Sequence, residues 1–181
     1  MRLTVLTASL TVLYPLAIWF GHGRIEPRWL AGLLLLTVAT RLPALKLSAL
    51  ARWSALGAMA LAAAAILGNA VLPLQLYPVL VNLSLLIAFA YSLAHPPSAV
   101  ERLARLRDPQ LPPAAIGYTR RVTQVWCVFF VLNGSACALL ALFASAAAWS
   151  LYTGVVSYLL MGILFGVEFL VRLRFQRRQH V

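Results

Sequence analysis

The sequence predicts an all-α integral membrane protein with about six transmembrane helices and a cytoplasmic amphipathic helix between spans four and five. Three observations predict it. The 181 residues are 62% hydrophobic and 10% charged, whereas soluble domains carry about 25% charged residues. Several apolar runs reach the roughly 20 residues needed to cross about 30 Å of hydrocarbon at about 1.5 Å per residue. They show no period-two alternation, and only helices or closed barrels satisfy every backbone polar group in lipid, so the runs read as helices. The whole chain, 1–181, reads as a single polytopic domain.

The first span is placed at residues 3–20, LTVLTASLTVLYPLAIWF, and is read as retained, because no small-x-small cleavage site follows it. The second, 29–45, is clean from Trp29 to Thr40; its full length requires Arg41 to snorkel and Pro43 to sit in the last turn. The third, 53–72, is rich in alanine, and small surfaces let helix backbones approach closely, which places it inside the bundle. The fourth is placed at 75–94, the fifth at 122–146 and the sixth at 151–172. The connections at Val71–Pro73 and Ala147–Ser150 are short and uncharged, so spans three and four, and spans five and six, form tight hairpins.

The basic residues give orientation. With both termini inside, thirteen of the fifteen Lys and Arg residues fall on the inner side, and only Arg24 and Arg28 outside. That is the asymmetry expected of cytoplasmic loops. The net charge of +11 and the pI near 11.1 would suggest nucleic acid in a soluble protein. Here the charges lie between apolar runs rather than on a face with stacking aromatics, so they serve orientation and lipid headgroups, with no nucleic-acid partner expected.

The polar segment 95–121, HPPSAVERLARLRDPQLPPAAIGYTRR, is the chief candidate for chemistry. Ser98 and Glu101 have the spacing of a capping box. Val100, Leu103 and Leu106 then recur every third residue, and Asp108-Pro109 stops the run. This predicts an amphipathic helix of about ten residues lying in the headgroup region, apolar side down. Pro112-Pro113 restarts the chain, and residues 114–121 lead helically into span five. His95, Glu101, Arg102, Arg105, Tyr118, Arg120 and Arg121 are the candidate contacts to a lipid headgroup or a partner, arginine pairs being good phosphate ligands. Solvated, headgroup-facing charge is the plainer role.

Polar groups at membrane depth form a second set. Glu168 lies four residues before Arg172, which reads as an i,i+4 ion pair, with proton or substrate handling as the alternative. Asn82 and Asn133 lie about 12 residues from their inner ends, or about 18 Å, near mid-bilayer, where hydrogen bonding between helices is the expected role. Trp53, Tyr91, Tyr118 and Trp126 fall at the inner boundary and fit an aromatic belt. Gly162 and Gly166 form G-x-x-x-G, read as a packing face within the bundle or as a homo-oligomer contact. Cys127 and Cys137, about 15 Å apart on one helix, cannot pair with each other in it and read as small buried side chains. There is no H-E-x-x-H, Walker loop, G-x-S-x-G or acidic metal motif, so no metal, cofactor or catalytic residue is assigned.

The runs YPVLVNLSLLIAFAYSL, PPSAVERLARL, LPPAAIGYTRRVTQVWCVFFVLNG and W-x-L-Y-T-G-x-x-S-Y-x-L-M-G together resemble an uncharacterised family of small bacterial inner-membrane proteins associated with genes for aryl polyene or fatty-acyl lipid biosynthesis. The resemblance spans residues 70 to 172. The W-x-x-F-F-x-x-N-G portion, Trp126 to Gly134, is also similar to the intracellular septation protein A family. Neither family brings a catalytic residue; the matching positions include His95, Glu101, Arg102, Tyr118, Arg120, Arg121, Trp126, Asn133, Gly134 and Glu168. The resemblance implies the bacterial inner membrane, membrane lipids as partners, and cytoplasmic acyl-lipid enzymes as possible ones. Ketosynthase activity would need an activated cysteine with histidine partners. Cys127 and Cys137 lie in a membrane helix, and His22, His95 and His180 lie in loops or the tail. The expected function is therefore a non-catalytic component that anchors or assists acyl-lipid synthesis or hand-over. The alternatives are a small membrane enzyme or lipid carrier binding an anionic headgroup, and an envelope or septation protein.

Overall fold

The computed structural model describes residues 18, 20, 25–39, 49–106 and 108–179. Among these the chain is helical, with no strand. The helices are α1 (Pro27–Ala39), α2 (Ala49–Gly68), the short α3 (Leu72–Gln75), α4 (Tyr77–Ala94), α5 (Ala99–Arg105), α6 (Pro113–Phe143) and α7 (Ala146–Leu151). A π-turn (Tyr152–Val156) then runs into α8 (Ser157–Gln179). Among the described residues, three stretches are long and apolar enough to cross a membrane: Leu72–Ala94, Pro113–Phe143 and Ala146–Arg174. Two shorter apolar helices, Pro27–Leu36 and Arg52–Gly68, correspond to the second and third expected spans. Of the first expected span only Ile18 and Phe20 lie within the described residues, and residues 40–45 of the second lie outside them.

Local chemistry moves several expected boundaries. Proline has no N–H to lose at a helix start, so α6 begins at Pro113, at the expected restart, and the helical lead-in and span five form one unbroken helix that ends at Phe143 rather than at residue 146. The α6–α7 connection sits at residues 144–145 rather than at Ala147–Ser150. Ser145 is extended there and its hydroxyl accepts from the Ala148 amide at 3.2 Å, starting α7 as an N-cap. The α2–α4 turn also comes early. Asn69 takes a positive φ of 44°, and the Ala70 amide donates to the Ala65 carbonyl at 3.3 Å, the closure of a Schellman motif. Asparagine is one of the few residues that tolerates that conformation.

The core lies between α1, α2, α3 and the Ser145 end of α4, α6 and α7. Leu30, Ala31 and Leu34 of α1 pack against Ala55, Ala58, Ala62 and Ala65 of α2, with Leu74, Tyr77, Ala141 and Trp149 completing the cluster. Those alanines line one face of α2, while Leu56, Met59, Ile66 and Leu67 face outward. The alanine-rich span is thus packed on one side rather than surrounded. Gly57 marks the α2–α4 crossing, since a Cβ there would lie 2.9 Å from Leu80 Cδ1.

The other half of the molecule is open. α8 turns Leu159, Ile163, Val167, Phe169 and Leu170 outward. Gly162 and Gly166 have nothing within 4 Å of where a Cβ would stand. The expected packing face within the bundle is therefore not formed among the described residues, because the π-turn and the few tethers on α8 hold other side chains against α6.

Candidate functional site

The space between α4, α6 and α8 is a partly open groove of about 670 Å³. One stripe of each helix lines it: Leu85 and Phe89 from α4; Ala115, Tyr118, Val122, Trp126 and Phe130 from α6; Met161, Phe165, Glu168 and Arg172 from α8. The i, i+4 and i+3 spacings put each set on one helix face. The groove has direction. At the α5 end it carries Asp108, Tyr118, Glu168 and Arg172, and along its length it is aromatic and aliphatic.

Three contacts hold α8 and the π-turn before it across the groove. The Tyr118 hydroxyl donates to Glu168, 3.2 Å from its carbonyl and 3.3 Å from Oε1. Trp126 and Phe165 stack obliquely with centroids 4.5 Å apart, a favourable separation for aromatic pairs. At the far end the Tyr152 hydroxyl donates to Asn133 Oδ1 at 3.0 Å. Tyr152 belongs to the π-turn, a feature that re-aims the residues around it and recurs at functional sites.

Asn82 and Asn133 meet between α4 and α6, where Asn133 Nδ2 donates to Asn82 Oδ1 at 3.1 Å and Asn82 Nδ2 donates to the Pro78 carbonyl at 2.8 Å. Glu168 does not pair with Arg172. The ion pairs among the described residues are Arg28–Glu26 and Arg105–Glu101, and Glu168 is turned to Tyr118 instead. Trp126 is buried in the groove wall rather than standing in a boundary belt, whereas Trp53 and Tyr91 are exposed. Cys127 and Cys137 are both free thiols.

The arginines of 95–121 do not converge. Arg102 Nε donates to the Pro97 carbonyl at 2.8 Å and its Nη2 to the His95 carbonyl at 3.3 Å. Arg105 grips Glu101 Oε1 through Nε at 3.0 Å and Nη2 at 2.8 Å. Arg120 donates to the Leu93 carbonyl at 3.1 Å. His95 stacks on Tyr91, and Arg121 is exposed. Of the seven candidate contacts in the segment, only Tyr118 lines the groove.

The segment forms a wall of the groove. α5 has seven residues rather than ten, and Val100, Leu103 and Ala104 face the groove. The first N–H groups of a helix have no partner within it, and here neighbours supply them. Ala99 N donates to Ser92 Oγ of α4 at 2.8 Å, and Val100 N to Thr123 Oγ1 of α6 at 3.3 Å. The Ser98 amide donates to Glu101 Oε2 at 3.3 Å, the glutamate half of the capping box. Ser92 and Thr123 went unnoticed in the sequence, where a lone hydroxyl in an apolar run is indistinguishable from one bonded to its own helix.

Glu101 is thereby the pin of α5, buried while Arg105 is partly exposed. Glu101→Ala is expected to loosen α5 by about 1–2 kcal/mol, mainly through the lost cap, since half-exposed ion pairs contribute little. Tryptic cleavage after Arg102 and Arg105 should then run about 5- to 30-fold faster than in the parent, with cleavage elsewhere unchanged.

The fold and the groove together define an α-helical membrane protein with a lateral cleft that is charged at its α5 end. Comparison with protein-family models, with curated proteins and with solved structures gives no match for this chain.

Proposed function

We propose that the chain is a non-catalytic bacterial inner-membrane protein that holds an acyl chain of a membrane amphiphile in the groove and serves acyl-lipid synthesis or hand-over. The groove carries this reading. Its volume of about 670 Å³ falls in the 300–1,000 Å³ range of ligand sites, which are mostly apolar with a few placed polar groups. The apolar length suits a hydrocarbon tail, and Tyr118, Glu168, Arg172 and Asp108 at the α5 end suit a headgroup. This favours the lipid-carrier alternative over pure anchoring, with the headgroup at Arg172 rather than at Arg120 and Arg121. The orientation proposed is six spans with both termini cytoplasmic, supported by the thirteen-to-two distribution of basic residues. The groove mouth then faces the cytoplasm, where acyl-lipid enzymes would deliver their product.

Trp126 in the groove wall provides the test. A brominated fatty acid titrated into the delipidated, detergent-purified chain should quench a saturable fraction of the fluorescence, and Trp126→Phe should abolish that fraction. Quenching that rises with the probe without saturating, or that survives in Trp126→Phe, would remove the basis for the reading.

A further inference from the structure

The groove does not end in hydrocarbon. Beside Phe130 it borders a second space of about 80 Å³, with Leu85, Phe130 and Met161 lining both. The chamber is lined by Asn82, Asn133, Thr153, Ser157 and Tyr158 among apolar neighbours. Amides and hydroxyls beside an apolar cleft offer a saturated tail nothing, and such groups need hydrogen-bond partners when they are taken out of water.

We propose that this chamber receives a hydrogen-bonding group, a hydroxyl or a carbonyl, carried at the far end of the bound chain, so that the ligand is polar at both ends. Ser157 is the independent pointer. It is 8% exposed, lines the chamber, and its hydroxyl enters none of the hydrogen bonds that tie up the amides and hydroxyls around it. Neighbouring hydroxyls behave differently: Thr153 donates to the Trp149 carbonyl at 2.8 Å, and Tyr152 to Asn133. The asparagines add capacity. Each amide nitrogen carries two hydrogens, and the Asn133-to-Asn82 and Asn82-to-Pro78 bonds use one on each. The chamber thus offers the ligand donors from Asn82 and Asn133, and from Ser157 a group able to donate or accept.

Length agrees. Tyr118 at the mouth and Asn133 at the chamber are 15 residues apart on α6, about 22 Å at about 1.5 Å per residue. That is about half of a bilayer 40–45 Å thick with its headgroups, so a chain of ordinary membrane length seated at the mouth ends at the chamber. Water is the competing occupant, since the space has room for a few molecules with polar partners.

The inference rests on the groove holding an acyl chain, and the experiment separates the two. Hexadecanoate and omega-hydroxyhexadecanoate are each used to displace the brominated probe from the full-length protein, read by fluorescence. The hydroxylated acid is expected to bind about tenfold tighter, the worth of one good hydrogen bond to a buried site. Ser157→Ala should shrink that preference to about threefold while leaving hexadecanoate affinity unchanged, and Ser157→Thr should retain most of it. Equal affinities for the two acids in the parent would overturn the bipolar ligand and leave the chamber to water, with the groove reading intact. Failure of both acids to displace the probe would overturn both readings.

Discussion

Gly134→Leu is expected to lower the unfolding free energy of the purified protein by about 1–3 kcal/mol, the usual cost of forcing extra carbons into a packed contact. Gly134 lies where α6 meets α4, the most extensive helix pairing among the described residues. A Cβ at this position would stand 3.1 Å from Asn82 Cβ and 3.8 Å from its Cγ. Neither neighbour is a flexible tip: Asn82 is held through its amide to the Pro78 carbonyl and to Asn133. A leucine must therefore part the helices or displace Asn82, and the second course also breaks the bond from Asn133. Between membrane helices that bond contributes about 0.6 kcal/mol on average, so the steric cost dominates. Alanine is a weaker probe, because exchanging glycine for alanine in a helix gains about 1 kcal/mol in propensity and masks a small clash. Two measurements check the prediction: thermal unfolding in detergent, and alkylation of Cys137, one turn below Gly134 and 1% exposed. The thiol should react faster in Gly134→Leu. Gly162→Leu is the control, having nothing within 4 Å: it should unfold no earlier than the parent, since losing a helix glycine gains propensity, and leave the Cys137 alkylation rate unchanged. If Gly134→Leu also matches it, the close approach of α4 and α6 is wrong.

What the sequence makes visible follows from which forces leave a local signature. Helix ends do: Ser98 with Glu101, Pro113, and Asp108-Pro109 act on the backbone within one turn, so α5 and the start of α6 were readable. Depth in a membrane does too. The rise per residue alone brings Asn82 and Asn133 to the same level, and the structure joins them at 3.1 Å. Sidedness does not. In a water-soluble helix the core face is apolar and the outer face polar, but lipid is as apolar as a core, so hydropathy cannot separate a groove wall from a lipid-facing surface. Trp126 therefore reads as a boundary-belt residue, Phe130 and Phe165 stand out in no way from their spans, and Gly162 and Gly166 read as a contact face that stands open among the described residues. The arginines are hard to read for a different reason. Charge gives orientation through their number, yet their hydrogen bonds depend on which carbonyls the turns expose, and Arg102 and Arg120 spend theirs on the ends of α4 and the loop after it. The π-turn leaves no pattern either, although it sets where Tyr152 and Ser157 point.

Filling the groove should cost far more function than stability, and Val122→Trp is the variant that separates the two. Val122 stands half-buried on the groove wall, one turn before Trp126. An indole there occupies the path between the polar mouth and the aromatic stretch, and can stack on the Trp126 and Phe165 rings, which already lie 4.5 Å apart. Probe binding is expected to weaken at least tenfold, about 1.4 kcal/mol or more. The unfolding temperature should hold or rise, since filling a cavity commonly adds about 0.5–2 kcal/mol. Val125→Trp places the same side chain on the exposed side of α6 and should leave probe binding unchanged, which controls for the bulk of the substitution and its effect on detergent packing. The pattern distinguishes a ligand site from a space that lipid merely wets. An annular lipid exchanges around an added indole with little change in apparent affinity, whereas a ligand seated between Tyr118 and Phe130 has no second path. Parent-like binding by Val122→Trp would place the amphiphile elsewhere on the protein. A loss shared equally with Val125→Trp would assign the effect to the helix surface rather than to the groove.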